Sequence, residues 1–159
     1  MTNGARGTLS LAESLSDKRH NTRRSPLKIL LIYPYFLENR LHEEDIRAVP
    51  IGLYYVGAML KANGFQVEIL NWHNIDKQPQ ILKQTLTSYQ ADIIGFSIVH
   101  ANRWGAIDIA RLAKELNPRV KIVFGGIGAT FLWQHLLTHY DPIDYVVMGE
   151  GEMTFLAFA

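Results

Sequence analysis

The sequence predicts an α/β fold, a five-stranded doubly wound parallel sheet, and three observations lead to it. From Leu27 onward short β-branched runs alternate with stretches of helical periodicity. The first of these runs, Lys28 to Tyr33, is continuously apolar, as expected of a central strand covered on both faces. Glycines follow the fourth and fifth runs, at the strand ends where such sheets place their ligand loops.

Taken in order, strand one is Lys28–Tyr33, and Pro34 stops it. Pro50 and Gly52 introduce a helix through about Asn63, with Gly64 placed as its C-terminal cap. Gln66–Leu70 alternates apolar and polar residues and reads as a strand nearer the edge. A helix from about Gln78 to Tyr89 sets Leu82, Leu86 and Tyr89 on one face, and Asp92–Ser97 is strand three. The next helix puts Ala106, Ile109, Ala110, Ala113 and Leu116 inward, with Asp108, Arg111, Lys114 and Glu115 pointing away. Asn117-Pro118 ends it. Val120–Phe124 is strand four, Ala129 to about His139 is an amphipathic helix, and Ile143–Met148 is strand five. Gly149-Glu150-Gly151-Glu152 then opens a further helix.

The chain has 159 residues, 48% hydrophobic and 19% charged, the composition of one compact domain. It contains no cysteine, which excludes thiolate-bound zinc, iron–sulfur clusters, disulfides and cysteine nucleophiles. The net charge of +1 gives no global excess to attract nucleic acid or an anionic membrane. Six basic and two acidic side chains fall in residues 1–28, leaving ten and thirteen for the remainder. Residues 1–26 therefore read as a flexible basic extension and 27–159 as the domain. The extension lacks the apolar core of a signal peptide, no run meets the criterion for a membrane span, and the expected location is cytoplasmic. An organellar transit peptide stays open, because Ser and Arg are frequent there.

In the commonest order for such a sheet, 2-1-3-4-5, the strand order reverses between strands one and three. Ligand loops are then Tyr33–Pro50, Ser97–Arg103, Gly125–Thr130 and Gly149–Glu152, the first two walling the crevice. No dinucleotide fingerprint, Walker loop, FMN phosphate loop or receiver-type acidic cluster follows strand one, which runs into Tyr33-Pro34-Tyr35-Phe36. Gly125-Gly126-Ile127-Gly128 either presents bare backbone to a large ligand or is simply a tight turn. Gly149–Glu152 has the same two readings, with Glu152 suited to the positive end of the following helix. His135 and His139 are spaced as a metal pair without an evident third ligand. His42, His73 and His100 lie in loops, and no nucleophile–histidine–acid arrangement can be placed.

Several strings together resemble one family. They are Pro50-x-Gly-Leu-Tyr-Tyr-Val-Gly-Ala-Met-Leu60, Asn63-Gly64-Phe-x-Val67, Ala91-Asp-Ile-Ile-Gly-Phe-Ser97, Pro118 to Gly125-Gly126, and Ile143-Asp-Tyr-Val-Val-Met-Gly-Glu-Gly-Glu152. In order and spacing they resemble the amino-terminal cobalamin (B12)-binding domain of cobalamin-dependent radical S-adenosylmethionine (radical SAM) enzymes. The likeness covers about Lys28 to Phe158. It implies a flavodoxin-like, Rossmann-like fold with cobalamin at the carboxyl edge of the sheet. By position, Tyr35, the Ser97-Ile98-Val99 turn, Gly125-Gly126 and Gly149-Glu150-Gly151 would face the corrin or its nucleotide tail.

Two departures qualify what the resemblance implies. The Asp-x-His-x-x-Gly string that supplies the lower cobalt ligand in methionine synthase and the mutases is absent, so no histidine of this chain is expected on cobalt. In the radical SAM family a barrel with a Cys-x-x-x-Cys-x-x-Cys triplet follows, whereas this chain has no cysteine and ends first. The expectation is a cobalamin-binding module, truncated or split, not active alone, that works with a separate radical SAM catalytic chain. The rival is a flavodoxin-like interaction or regulatory domain without cofactor. A third reading, an enzyme using Glu150 or His100 as acid–base, has little support.

Overall fold

The computed structural model describes residues 25–34, 49–72 and 78–159. In β1 (Lys28–Tyr33) the four residues Ile29 to Ile32 are completely buried. Parallel neighbours flank it on both sides, β2 (Gln66–Asn71) and β3 (Ile93–Ser97). β4 (Lys121–Gly125) and β5 (Tyr145–Val146) extend the sheet, giving the order β2-β1-β3-β4-β5. The predicted fold class, the predicted order and the edge position of β2 are all found.

The strand parity divides the core in two. On one face Leu30, Ile32, Ile94, Phe96, Ile122 and Phe124 meet α2 (Pro79–Tyr89), α3 (Arg103–Leu116) and α4 (Ile127–His139). On the other, Ile29, Leu31, Ile93 and Val123 meet α1 (Ile51–Ala62) and α5 (Gly151–Phe158). Crossovers onto both faces are what a parallel sheet requires, since each of its faces must be kept from water. Gly64 takes φ +89 directly after α1, as its capping role requires. The corresponding left-handed residue after α2 is Gln90, at φ 53.

Three sequence expectations change in detail. α4 begins at Ile127, two residues before Ala129, because Gly126 at φ 87 turns directly from strand into helix. β5 is two residues, not six. The carboxylate of Asp144, rather than a main-chain carbonyl, accepts the Ile122 N–H at 2.7 Å, so the ladder starts after it. Lys114 does not point away: its long stem carries the ammonium to Asp144 Oδ2 at 2.7 Å and to the Val120 carbonyl at 2.8 Å.

Candidate functional site

β3 and β4 end in small residues, Ser97 and Gly125, and the chain leaves both strands at the same edge. A cleft of about 160 Å³ opens there, between the start of α1 and the start of α5. Leu31, Phe96, Val147 and Phe155 are among the apolar residues that line it. Six of the chain's twelve glycines line it too: Gly52, Gly95, Gly125, Gly126, Gly149 and Gly151. At these positions the wall is bare main chain, which a flat ligand can approach closely.

Of the residues singled out in the sequence, Ser97, Gly125, Gly126, Gly149, Glu150 and Gly151 come together in this cleft. Ile98 and Val99 do not line it. Ile98 is fully buried on the helix-rich face, following Ile94 and Phe96 at every second residue. Its backbone forms a seam with the next loop: Ile98 N donates to Gly125 O at 2.9 Å, and Gly128 N donates to Ile98 O at 3.0 Å. A Cβ on Gly126 would lie 2.8 Å from Ile98 O, and one on Gly128 would lie 2.9 Å from the Val99 carbonyl carbon. The glycines at 126 and 128 thus serve loop-to-loop packing, Gly126 while also lining the cleft, whereas Gly125, whose added Cβ would meet nothing closer than 3.8 Å, serves the cleft wall alone. Tyr35, His42 and His73 lie outside the described residues.

Glu150 occupies the N-cap of α5 without a side-chain capping bond, and Glu152 sits in the first turn, where the helix N–H groups favour negative charge. The His135 and His139 rings stack at 4.4 Å, and among the described residues no group of three metal-binding side chains exists. Burial alone pushes the pKa of Tyr33, at the end of β1, above its ordinary value.

Sequence reasoning missed Thr130. Its hydroxyl donates to Gly126 O at 3.1 Å and accepts from Gly149 N at 3.0 Å, joining two walls of the cleft. A hydroxyl bonding the carbonyl four residues back is common in helices, but the second bond joins segments distant in sequence, which periodicity cannot show. Gly95 and Phe155 were also missed as lining residues, because each looks like ordinary strand or helix interior.

The model of the B12 binding domain family matches residues 46–159. The chain belongs to the B12 binding domain family. It is a cobalamin-binding domain, and with no cysteine it cannot itself ligate an iron–sulfur cluster. It is 29% identical, over 81% of its length, to an uncharacterized methyltransferase of Pyrococcus horikoshii, of which the match covers 28%. It is 31% identical over 67% of its length to the anaerobic magnesium-protoporphyrin IX monomethyl ester cyclase of Rubrivivax gelatinosus, covering 20% of that protein. It is 30% identical over 81% of its length to the cytidylyl-2-hydroxyethylphosphonate methyltransferase of Streptomyces wedmorensis, covering 27%. The chain thus spans less than a third of the length of these curated relatives. The monomethylamine corrinoid protein of Methanosarcina barkeri shares the fold, with a TM-score of 0.56, 22% identity, 92% coverage of this chain and 65% of that one. Among the described residues no helix is long and apolar enough to cross a membrane.

The cleft suits part of a cobalamin better than the whole. Its volume is below the roughly 300 Å³ at which pockets begin to hold a complete drug-sized ligand, so among the described residues it is sized for a part of the cofactor. A flat appendage can approach it along the glycine-lined part of the wall.

Proposed function

We propose that this domain holds cobalamin with the nucleotide tail in the glycine-lined cleft and the corrin across the cleft mouth. Ser97, Gly125, Gly126 and Gly149–Gly151 would contact the tail, and Tyr35 would lie by the corrin. The observation that carries this reading is the convergence of six of those residues in a single cleft at the carboxyl edge. Ile98 and Val99 act through their backbone, by seating the Gly126–Gly128 turn. The missing Asp-x-His-x-x-Gly string supports a cofactor whose cobalt takes no histidine from this chain.

Cobalamin supplies, when bound, a cobalt centre for methyl transfer or related radical chemistry. The chain's own residues bind and orient it and keep water from its tail. The cluster chemistry of a radical SAM reaction belongs to other polypeptide, either a separate catalytic chain or further sequence, because this one lacks thiolate ligands. Two relatives are named as methyltransferases and another as a cyclase, so the names support either methyl transfer or the related radical chemistry as the reaction served. The test is to mix the protein with hydroxocobalamin and follow corrin absorbance through size exclusion. Co-elution is expected. A protein shown folded by circular dichroism that elutes free of corrin overturns the reading in favour of an interaction domain.

A further inference from the structure

Asn102 is the one polar residue completely buried among the described residues. It stands at the N-cap of α3, yet its side chain makes no capping bond to that helix. Instead Oδ1 reaches back across the β3–α3 turn and accepts the Val99 N–H at 2.8 Å. Its Nδ2 is buried with no hydrogen-bond partner. A buried amide with an unpaired donor is a destabilising choice for a mere turn residue, since its desolvation is only partly compensated. The one pairing its side chain makes is the Val99 bond, and what that bond holds in place is the turn.

That bond completes the anchoring of the Ile98–Val99 turn. Ile98 N and O are taken by Gly125 O and Gly128 N, and Asn102 takes Val99 N, so three consecutive polar groups of the turn are fixed. Gly126 and Gly128 sit against these same atoms, with no room for a Cβ. Gly126 is in turn tied through Thr130 to Gly149 on the opposite wall. A continuous set of contacts thus runs from the buried amide to both sides of the cleft.

We propose that Asn102 is a positioning residue for cobalamin: its buried amide fixes the turn that sets the Gly125–Gly126 wall at the spacing the cofactor tail requires. The proposal rests on the cofactor reading above and assigns the spacing of that wall to a side chain that does not line it.

Three measurements on the full chain test it. The first uses the unaltered protein without cofactor: the Val99 amide, although outside any strand, should exchange with deuterium as slowly as those of β3. Exchange at free-loop rates overturns the proposal, whatever happens to cobalamin. The second compares cobalamin affinity in two variants. Asn102→Leu keeps the approximate volume but loses the acceptor, and should weaken binding about tenfold, the scale of one buried hydrogen bond. Asn102→Asp keeps the acceptor beside a helix N-terminus that tolerates negative charge, and should bind within about threefold of the parent. The third is Leu86→Ala, a core truncation in α2 away from the cleft, which should lower Tm while leaving affinity unchanged. Unaltered binding by Asn102→Leu overturns the proposal. So does equal loss in Asn102→Asp, or equal loss in Leu86→Ala. Failure of the parent protein to bind cobalamin counts against the cofactor reading alone, and the exchange measurement still decides the role of Asn102 in the turn.

Discussion

A Cβ placed on Gly95 would lie 3.0 Å from Phe155 Cε2 and 2.8 Å from Leu31 Cδ2. The ring of α5 thus uses the space that a side chain in the middle of β3 would take, and the helix carrying the Gly149–Glu152 segment can lie down on the sheet. Gly95→Val is expected to cost about 1–3 kcal/mol through overpacking, and Phe155→Ala about 3–5 kcal/mol through loss of a buried ring. In denaturant titrations the double variant Gly95→Val/Phe155→Ala should be less destabilised than the sum of the two. Strict additivity would show that the two positions do not compete for one space.

Gly126 and Gly149 both have positive φ, 87° and 69°, but only Gly126 also lacks space. Gly149→Ala should cost about 1–2 kcal/mol, the strain of a left-handed residue. Gly126→Ala must in addition push Ile98 O away, so it should be the more destabilising of the two and should weaken cobalamin retention. Equal losses in thermal unfolding would contradict this ordering.

Thr130 joins Gly126 to Gly149 by one hydroxyl. Thr130→Val preserves shape while removing both bonds, at an expected cost of about 1–3 kcal/mol. Thr130→Ser keeps the hydroxyl and should restore most of the cofactor affinity. If the two variants bind cobalamin alike, the bridge has no part in shaping the cleft.

His42→Ala is expected to leave the visible spectrum of bound cobalamin unchanged, since no histidine of the chain is assigned to cobalt. A clear shift of the corrin bands on substitution would reverse that assignment.

The Tyr89 hydroxyl lies 3.2 Å from Ile29 O and 3.3 Å from Gln66 O, at the junction of β1 and β2. Burial first, and then the charge of Glu68, raise its pKa above 10.0, with a backbone hydrogen bond involving Glu68 acting the other way. As pH rises through about 10 the unfolded tyrosine loses its proton before the folded one, so the native state binds more protons and stability falls. Tyr89→Phe should flatten part of that alkaline fall, with Tyr33 contributing a remainder of the same sign. An unchanged slope between pH 9 and 11 would remove Tyr89 from the account.

The sheet was legible because its signals are local. The unbroken apolar run of β1, the alternation in β2 and the Gly64 stop after α1 are each set by neighbours in sequence. Much of the site was legible for a related reason, since glycines at the ends of β4 and β5 mark sharp turns wherever they fall. What sequence could not separate was the work of adjacent glycines. Gly125 and Gly126 read alike and both line the cleft, yet only Gly126 also touches Ile98 O, a contact made only once two crossovers have brought their loops together. Ile98 was recoverable from parity alone, because it continues the Ile94–Phe96 alternation into the core. Lys114 was not, because its helical position is outward and only its reach to Asp144 makes it structural.

The cleft has one jamb in α1 and the other in α5, at opposite ends of the domain's sequence. A chain synthesised from its amino terminus can pair β1, β2 and β3 and pack α1 to α3 while α5 has yet to emerge. Until then Gly95 lacks the Phe155 ring that packs over it, and closure waits on a contact between distant segments, the slowest kind to form. If the tail occupies this cleft, as proposed, loading of the cofactor waits for translation of α5, and a stalled or clipped chain lacking α5 would reach most of its native sheet and still be unable to take up its ligand.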